Sequence, residues 1–124
     1  MDKVKDGYLD YTYPEIMDYA VEIVREIAEN YSVDGIFLDF MRTEENQTKD
    51  TLIEFIKRVR GILNTKKNKY GKNMRLSVRI PSERLEYYEA AKFWVKDNLV
   101  DIIVPSNASE SILPARIEHY ARIC

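Results

Sequence analysis

Val33-Asp34-Gly35-Ile36-Phe37-Leu38-Asp39-Phe40-Met41-Arg42 is a short apolar run closed by a carboxylate and then a guanidinium. It is too short to span a membrane and too rich in large and β-branched residues for a loop. Amphipathic segments flank it on both sides, so it reads as a buried parallel strand. Gly35, Phe37 and Asp39 share one face of that strand, and Ile36, Leu38 and Phe40 share the other. The wholly apolar even face suits packing under helices. The odd face, with a small residue first and an acid last, suits the interior of a barrel that opens at its top. Asp39 falls at the C-terminal end, where α/β sheets and barrels bind their ligands.

Upstream, residues 1–13 are polar and tyrosine-rich and read as a loop. Pro14 suits a first helical turn, with Glu15 and Asp18 near its positive end. Ile16, Ala20, Ile23, Val24, Ile27 and Tyr31 recur at helical spacing, which predicts a helix from Pro14 to about Tyr31 with that stripe buried. Downstream, Thr43 to Gln47 is polar loop, and a second helix runs from about Thr48 to Asn64. Its buried stripe is Leu52, Phe55, Ile56, Val59, Ile62 and Leu63, with Lys57, Arg58 and Arg60 facing water. Met74 to Ile80 is the second strand. Leu76, Val78 and Ile80 share its apolar face, and Arg75, Ser77 and Arg79 share a face that would be costly to cover with helices. Pro81 ends it. Ser82 to about Asn98 holds a short helix, with Leu85, Tyr88, Ala91, Phe93, Trp94 and Val95 as core. Val100 to Pro105 is the third strand, Ser106 to Ser109 a loop, and Leu113 to about Arg122 a final helix opened by Pro114. Strands alternating with helices imply parallel pairing through right-handed crossovers. The fold class is therefore α/β, about three parallel strands alternating with four helices, in one domain over 1–124.

The chain has 124 residues and a net charge of −2. That length suffices for one domain with a core. The balanced charge argues against nucleic acid as a partner, since phosphate binding favours a basic excess. No apolar run approaches a membrane span, and Met1 to Asp6 contains no signal-peptide core. Cys124, the lone cysteine, permits no intrachain disulfide and suggests no zinc site, so no metal is expected and the redox compartment stays undetermined. Lys66, Lys67, Lys69 and Lys72 surround Gly71. A phosphate site is one reading of that run, and a solvated loop is the other; the lack of a glycine-rich cradle favours the loop.

Four pieces of the chain carry a resemblance. They are Tyr13-Pro14-Glu15 leading a helix, the run from Val33 to Arg42, Leu76-Ser77-Val78-Arg79-Ile80-Pro81, and the stretch from Trp94 to Pro105. In order and spacing they are similar to the bacterial glycoside-hydrolase-like "family 10-like" (β/α)8 barrel proteins, over about residues 9–107. The resemblance implies a partial TIM (β/α)8 barrel, the central fragment of a larger protein, because a full barrel takes about 250 residues and eight strands. It implies a carbohydrate substrate, hydrolysis of a glycosidic bond and no cofactor. A secreted or periplasmic parent is compatible with it, and localisation is left open. Three strands alone would leave two apolar edges, through which homo-oligomerisation is expected. A non-catalytic carbohydrate-binding or scaffold domain on the same fold is the alternative, because fold does not fix function.

Asp39 is the leading catalytic candidate, since glycoside cleavage passes through an oxocarbenium-like transition state that a carboxylate can stabilise or trap. A helix-capping Asp, or one paired with Arg42 or Arg79, is the structural counterpart. A second carboxyl group is required. Glu83, just past the neighbouring strand end, could be the general acid or could sit in the first turn of the next helix; the acid could equally lie on a strand outside this chain. Arg42 and Arg79 at strand ends could fork onto sugar hydroxyls or onto Asp39. Tyr13, with Tyr8 and Tyr11, could offer flat faces to a sugar or pack on the first helix. Ser106 and Asn107 could donate to ligand hydroxyls. Asp34 and Asp101 open their strands and read as turn and capping residues. His119 has no partner spacing for a metal, and Trp94 reads as core.

Overall fold

The computed structural model describes residues 4–5, 8–41, 47–107 and 117–124. Two short strands, β1 (Val4–Lys5) and β2 (Tyr8–Leu9), pair antiparallel. This corrects the reading of residues 1–13 as loop throughout. Two residues per strand are too few for alternation to register in sequence.

Helix α1 (Pro14–Asn30) starts with proline in its first turn, as its sequence dictates, and ends where Tyr31 turns extended. Its buried residues are Met17, Val21, Val24 and Ala28. Only Val24 belongs to the expected stripe; Ile23 and Tyr31 are exposed, and Ala20 packs only partly against the core. Two apolar stripes lie side by side on this helix, both at helical spacing. Periodicity establishes the helix, but the neighbour decides which stripe is covered, and that neighbour is the next helix.

Strand β3 (Gly35–Asp39) leads to α2 (Lys49–Asn64). A reciprocal cap opens α2: Thr48 Oγ1 accepts from Thr51 N at 3.2 Å, and Thr51 Oγ1 accepts from Thr48 N at 3.0 Å. Such a box satisfies two N–H groups that the helix cannot pair internally. Leu52, Phe55, Ile56, Val59, Ile62 and Leu63 are all buried. Arg60, however, does not face water. Its side chain is 11% exposed and donates to Leu99 O at 2.7 Å, Met74 O at 3.1 Å and Asp101 Oδ2 at 2.7 Å. The long stem lies along apolar surface while the guanidinium reaches the starts of the next two strands.

Strand β4 (Arg75–Pro81), helix α3 (Leu85–Lys96), strand β5 (Ile102–Ser106) and helix α4 (Ile117–Ala121) complete the order. Of the expected last helix, residues 113–116, Pro114 included, lie outside the described residues. On α3 the buried set is Tyr87, Ala90, Ala91 and Trp94, an i, i+3, i+4, i+7 stripe. Trp94 is core as expected, but Leu85 is exposed. Leu85 belongs to the first turn, two positions before the buried stripe begins, so its hydrophobicity does not place it inside. Asn98 follows the helix with φ 54°, the left-handed conformation that asparagine tolerates after a helix end.

β3, β4 and β5 form one parallel sheet in that order. Gly35 pairs with Arg75 and Asp39 with Arg79; Arg79 pairs in turn with Val104, and Pro81 with Ser106. At Gly35 the pairing is so close that a Cβ would lie 2.4 Å from Arg75 O. α2 packs between α1 and α3 and against β4. Leu76, Val78 and Ile80 are wholly buried on the covered face. On the other face Phe37 is 56% and Ile102 44% exposed. Among the described residues the fold is thus a mixed α/β layer pair, with three parallel strands and four helices, one sheet face covered and one open.

Candidate functional site

The open face carries one residue from each strand at its C-terminal end. Asp39 ends β3, Arg79 lies near the end of β4, and Ser106 ends β5. The parity of each strand puts all three on the face away from the helices. Arg79 Nη1 donates to Asp39 Oδ2 at 3.2 Å, and Arg79 Nε donates to Ser106 Oγ at 3.1 Å. The other carboxylate oxygen, Asp39 Oδ1, accepts from Met41 N at 3.0 Å. Both oxygens of Asp39 are therefore engaged while the residue stays open to solvent. A carboxylate held this way cannot swing freely, yet it remains reachable by a ligand.

The backbone beneath the row is fixed. Phe40 N donates to Arg79 O at 2.9 Å, and Ser82 N donates to Ser106 O at 2.8 Å. The second bond is the parallel-ladder bond one residue past the Pro81–Ser106 pair, and it extends the pairing beyond the proline. Phe40 is buried behind Asp39 in a chain of rings. Its ring stands 6.1 Å from Phe55 and 5.8 Å from Tyr87, and Phe55 meets Tyr11 at 5.7 Å. Burial there pushes the Tyr11 phenol above its ordinary range. These rings buttress the strand end from the helix side. Tyr11 thus packs against Phe55 of α2.

The remaining expected residues disperse. Asn107 adjoins the row: Ser82 Oγ donates to its Oδ1 at 3.3 Å. Ser106 accepts from Arg79 through its Oγ, which leaves its O–H to donate. Tyr13 is the N-cap of α1, its carbonyl accepting from Ile16 N and Met17 N. No hydrogen bond among the described residues joins it to the row. Arg42, Glu44 and Glu45 lie outside the described residues. Glu83 lines a separate cavity of about 300 Å³ with Ser82, Arg84, Leu85, Tyr88 and His119. Neither Asp39 nor Arg79 lines that cavity.

Asp101 proves to be a structural acid at the opposite end of the sheet. Its Oδ2 accepts from Leu76 N at 2.8 Å as well as from Arg60. Burial pushes its carboxyl up, but the Leu76 N–H and the Arg60 guanidinium outweigh burial and hold it below its ordinary range. The lysine-rich connection is a closed turn. Asn68 Oδ1 accepts from Tyr70 N at 2.9 Å and Lys72 N at 3.0 Å, and Gly71 takes φ 73°. The amides an anion would need are already satisfied by Asn68. Among the described residues no three His, Cys, Asp or Glu side chains gather as a metal site, and no helix is long and apolar enough to cross a membrane.

No protein-family model matches the chain, and the comparison with curated proteins gives no match.

Proposed function

We propose that the chain is the central sector of a glycoside-hydrolase-like (β/α)8 barrel and that Asp39 acts on a glycosidic bond as nucleophile or charge stabiliser. The observation that carries this reading is the placement of Asp39 at a strand's C-terminal end, on the open sheet face, with both oxygens held. In parallel α/β architectures that end is where chemistry is built from several strand ends. A fixed, solvent-reachable carboxylate suits an electrophilic anomeric carbon. The partner acid would stand about 5–5.5 Å away in a retaining enzyme and about 6.5–9.5 Å away in an inverting one. Because Glu83 lines a different cavity, the proposal takes the acid from a further strand of the completed barrel. That barrel would also cover Phe37 and Ile102. Without those strands, self-association through the edges of β3 and β5 is the proposed means of covering them.

The test is hydrolysis of a panel of aryl glycosides by the parent protein and by Asp39→Asn, with mechanism-based fluorosugar labelling read by mass spectrometry. Loss of turnover in the variant supports the assignment, and a label on Asp39 identifies a nucleophile. Unchanged turnover removes Asp39 from the mechanism. The second reading, carbohydrate binding without cleavage, is favoured by one observation: Glu83 lines a cavity that neither Asp39 nor Arg79 lines. Under that reading wild type and Asp39→Asn are both inert, and the variant binds glycan more weakly.

A further inference from the structure

We infer that Ser106 is a positioning residue, one that holds the Arg79 guanidinium in the orientation in which it meets Asp39. The inference deepens the proposed reading and rests on Asp39 being the working carboxylate of this site. β4 is the central strand, and Arg79 reaches to both sides of it. Nη1 goes to Asp39 on β3, and Nε goes to Ser106 on β5. Nε–H and Nη1 lie on opposite flanks of the planar guanidinium, so the two acceptors bracket it. A rotation that brings Arg79 nearer one acceptor draws it off the other. Nη2 bonds no described residue.

A single exposed ion pair does not fix a long side chain, because the entropy of holding it offsets most of the attraction. The Arg79 and Asp39 side chains are 41% and 49% exposed, so their bond alone belongs to that weak class. The second bond changes this. The main chain of Ser106 is held at the strand end, since its carbonyl takes the Ser82 amide at 2.8 Å just past Pro81. A short hydroxyl on a pinned strand end is a firm anchor for Nε. The result is a three-strand row in which a residue on β5 sets the surroundings of a carboxylate on β3 without touching it.

The test uses nuclear magnetic resonance on the intact chain, reading the exchange of the Arg79 Nε–H signal and the carboxyl carbon of Asp39. Ser106→Ala should speed Nε–H exchange roughly fivefold, the change matching one part-buried hydrogen bond. It should also move the Asp39 carbon signal, although residue 106 makes no contact with it. Ser106→Thr, which keeps the hydroxyl, should restore both. A purely structural serine would leave the Asp39 signal in place, and that result, or failure of threonine to restore it, overturns the inference. If Ser106→Ala does not fold, Arg79→Lys provides the second arm. Its single ammonium cannot bracket both acceptors, so the Asp39 signal should move as it does in Ser106→Ala, and an unmoved signal overturns the inference. Neither readout needs turnover. A failed hydrolysis assay and a failed coupling are therefore separate results.

Discussion

Arg60→Met removes a guanidinium whose three bonds tie α2 to the starts of β4 and β5, while keeping most of the apolar stem. The magnitude follows from what is left behind. The Leu99 and Met74 carbonyls each lose a partner in a part-buried setting, at about 1 kcal/mol apiece. The pair with Asp101 adds about 1 kcal/mol and no more, because that carboxylate is 45% exposed and water can replace the arginine. The expected loss is about 3 kcal/mol, or a fall in Tm of about 10 °C for a domain of this size. Urea unfolding at fixed ionic strength measures it, and the slope should match wild type, since the surface exposed on unfolding is the same. Arg60→Lys should recover one bond, about 1 kcal/mol, because an ammonium cannot span three acceptors. A double-mutant cycle with Asp101→Asn separates the ion pair from the carbonyl bonds, and its coupling should be about 1 kcal/mol. If Arg60→Met loses less than about 1 kcal/mol, the value of an ordinary surface pair, the clamp does not act as described.

Gly35→Ala should destabilise by about 1–3 kcal/mol, because the new methyl meets the Arg75 carbonyl of the paired strand and β3 must move away from β4; a gain in the unfolding midpoint would show that the strands part freely. Asp101 has a folded-state pKa below its unfolded one, so its contribution is present above the unfolded value of about 3.9 and is lost as pH falls through the folded value. Comparing wild type with Asp101→Asn in urea from about pH 6 down to about pH 2.5 should therefore show their difference narrowing only at the acid end. Arg79→Met should cost about 1–2 kcal/mol, well under about 1 from the exposed pair with Asp39 and about 1 from the part-buried bond to Ser106, and calorimetry decides.

Strand β4 and helix α2 were legible because each has one dominant face. Leu76, Val78 and Ile80 alternate cleanly, and all three are wholly buried. The Leu52 to Leu63 stripe on α2 has a single covered arc, and all six of its residues are buried. Where two arcs competed, sequence could not choose. α1 could bury Ile16, Ile23 and Ile27 or Met17, Val21 and Ala28, and only contact with α2 decides for the second set. Arg60 was misplaced for a related reason. Periodicity put it near the polar side, but a long side chain is placed by the acceptors it reaches, and those lie far along the chain at residues 74, 99 and 101. The Asp39 and Arg79 pairing was visible as one of two options, since strand parity placed both on the open face. The part played by Ser106 was not visible, because it depends on the register of β5 against β4.

The two arginines show how this sheet divides its labour. Arg60 and Arg79 each bond a carboxylate at the end of one strand and an acceptor at the end of another. Arg60 does so at the N-terminal ends of the strands with its side chain nearly enclosed, and Arg79 does so at the C-terminal ends, in solvent. An enclosed charge is costly to strip of its partners, so evolution of the lower clamp is constrained by stability. A solvated charge costs little to change, so the upper row is free to be selected for what it binds. Parallel α/β folds in general keep stability at one end of the strands and chemistry at the other. In this chain the division follows from the environments of two residues of the same type, and it is the physical reason to look for function at Asp39 and not at the equally well-bonded Asp101.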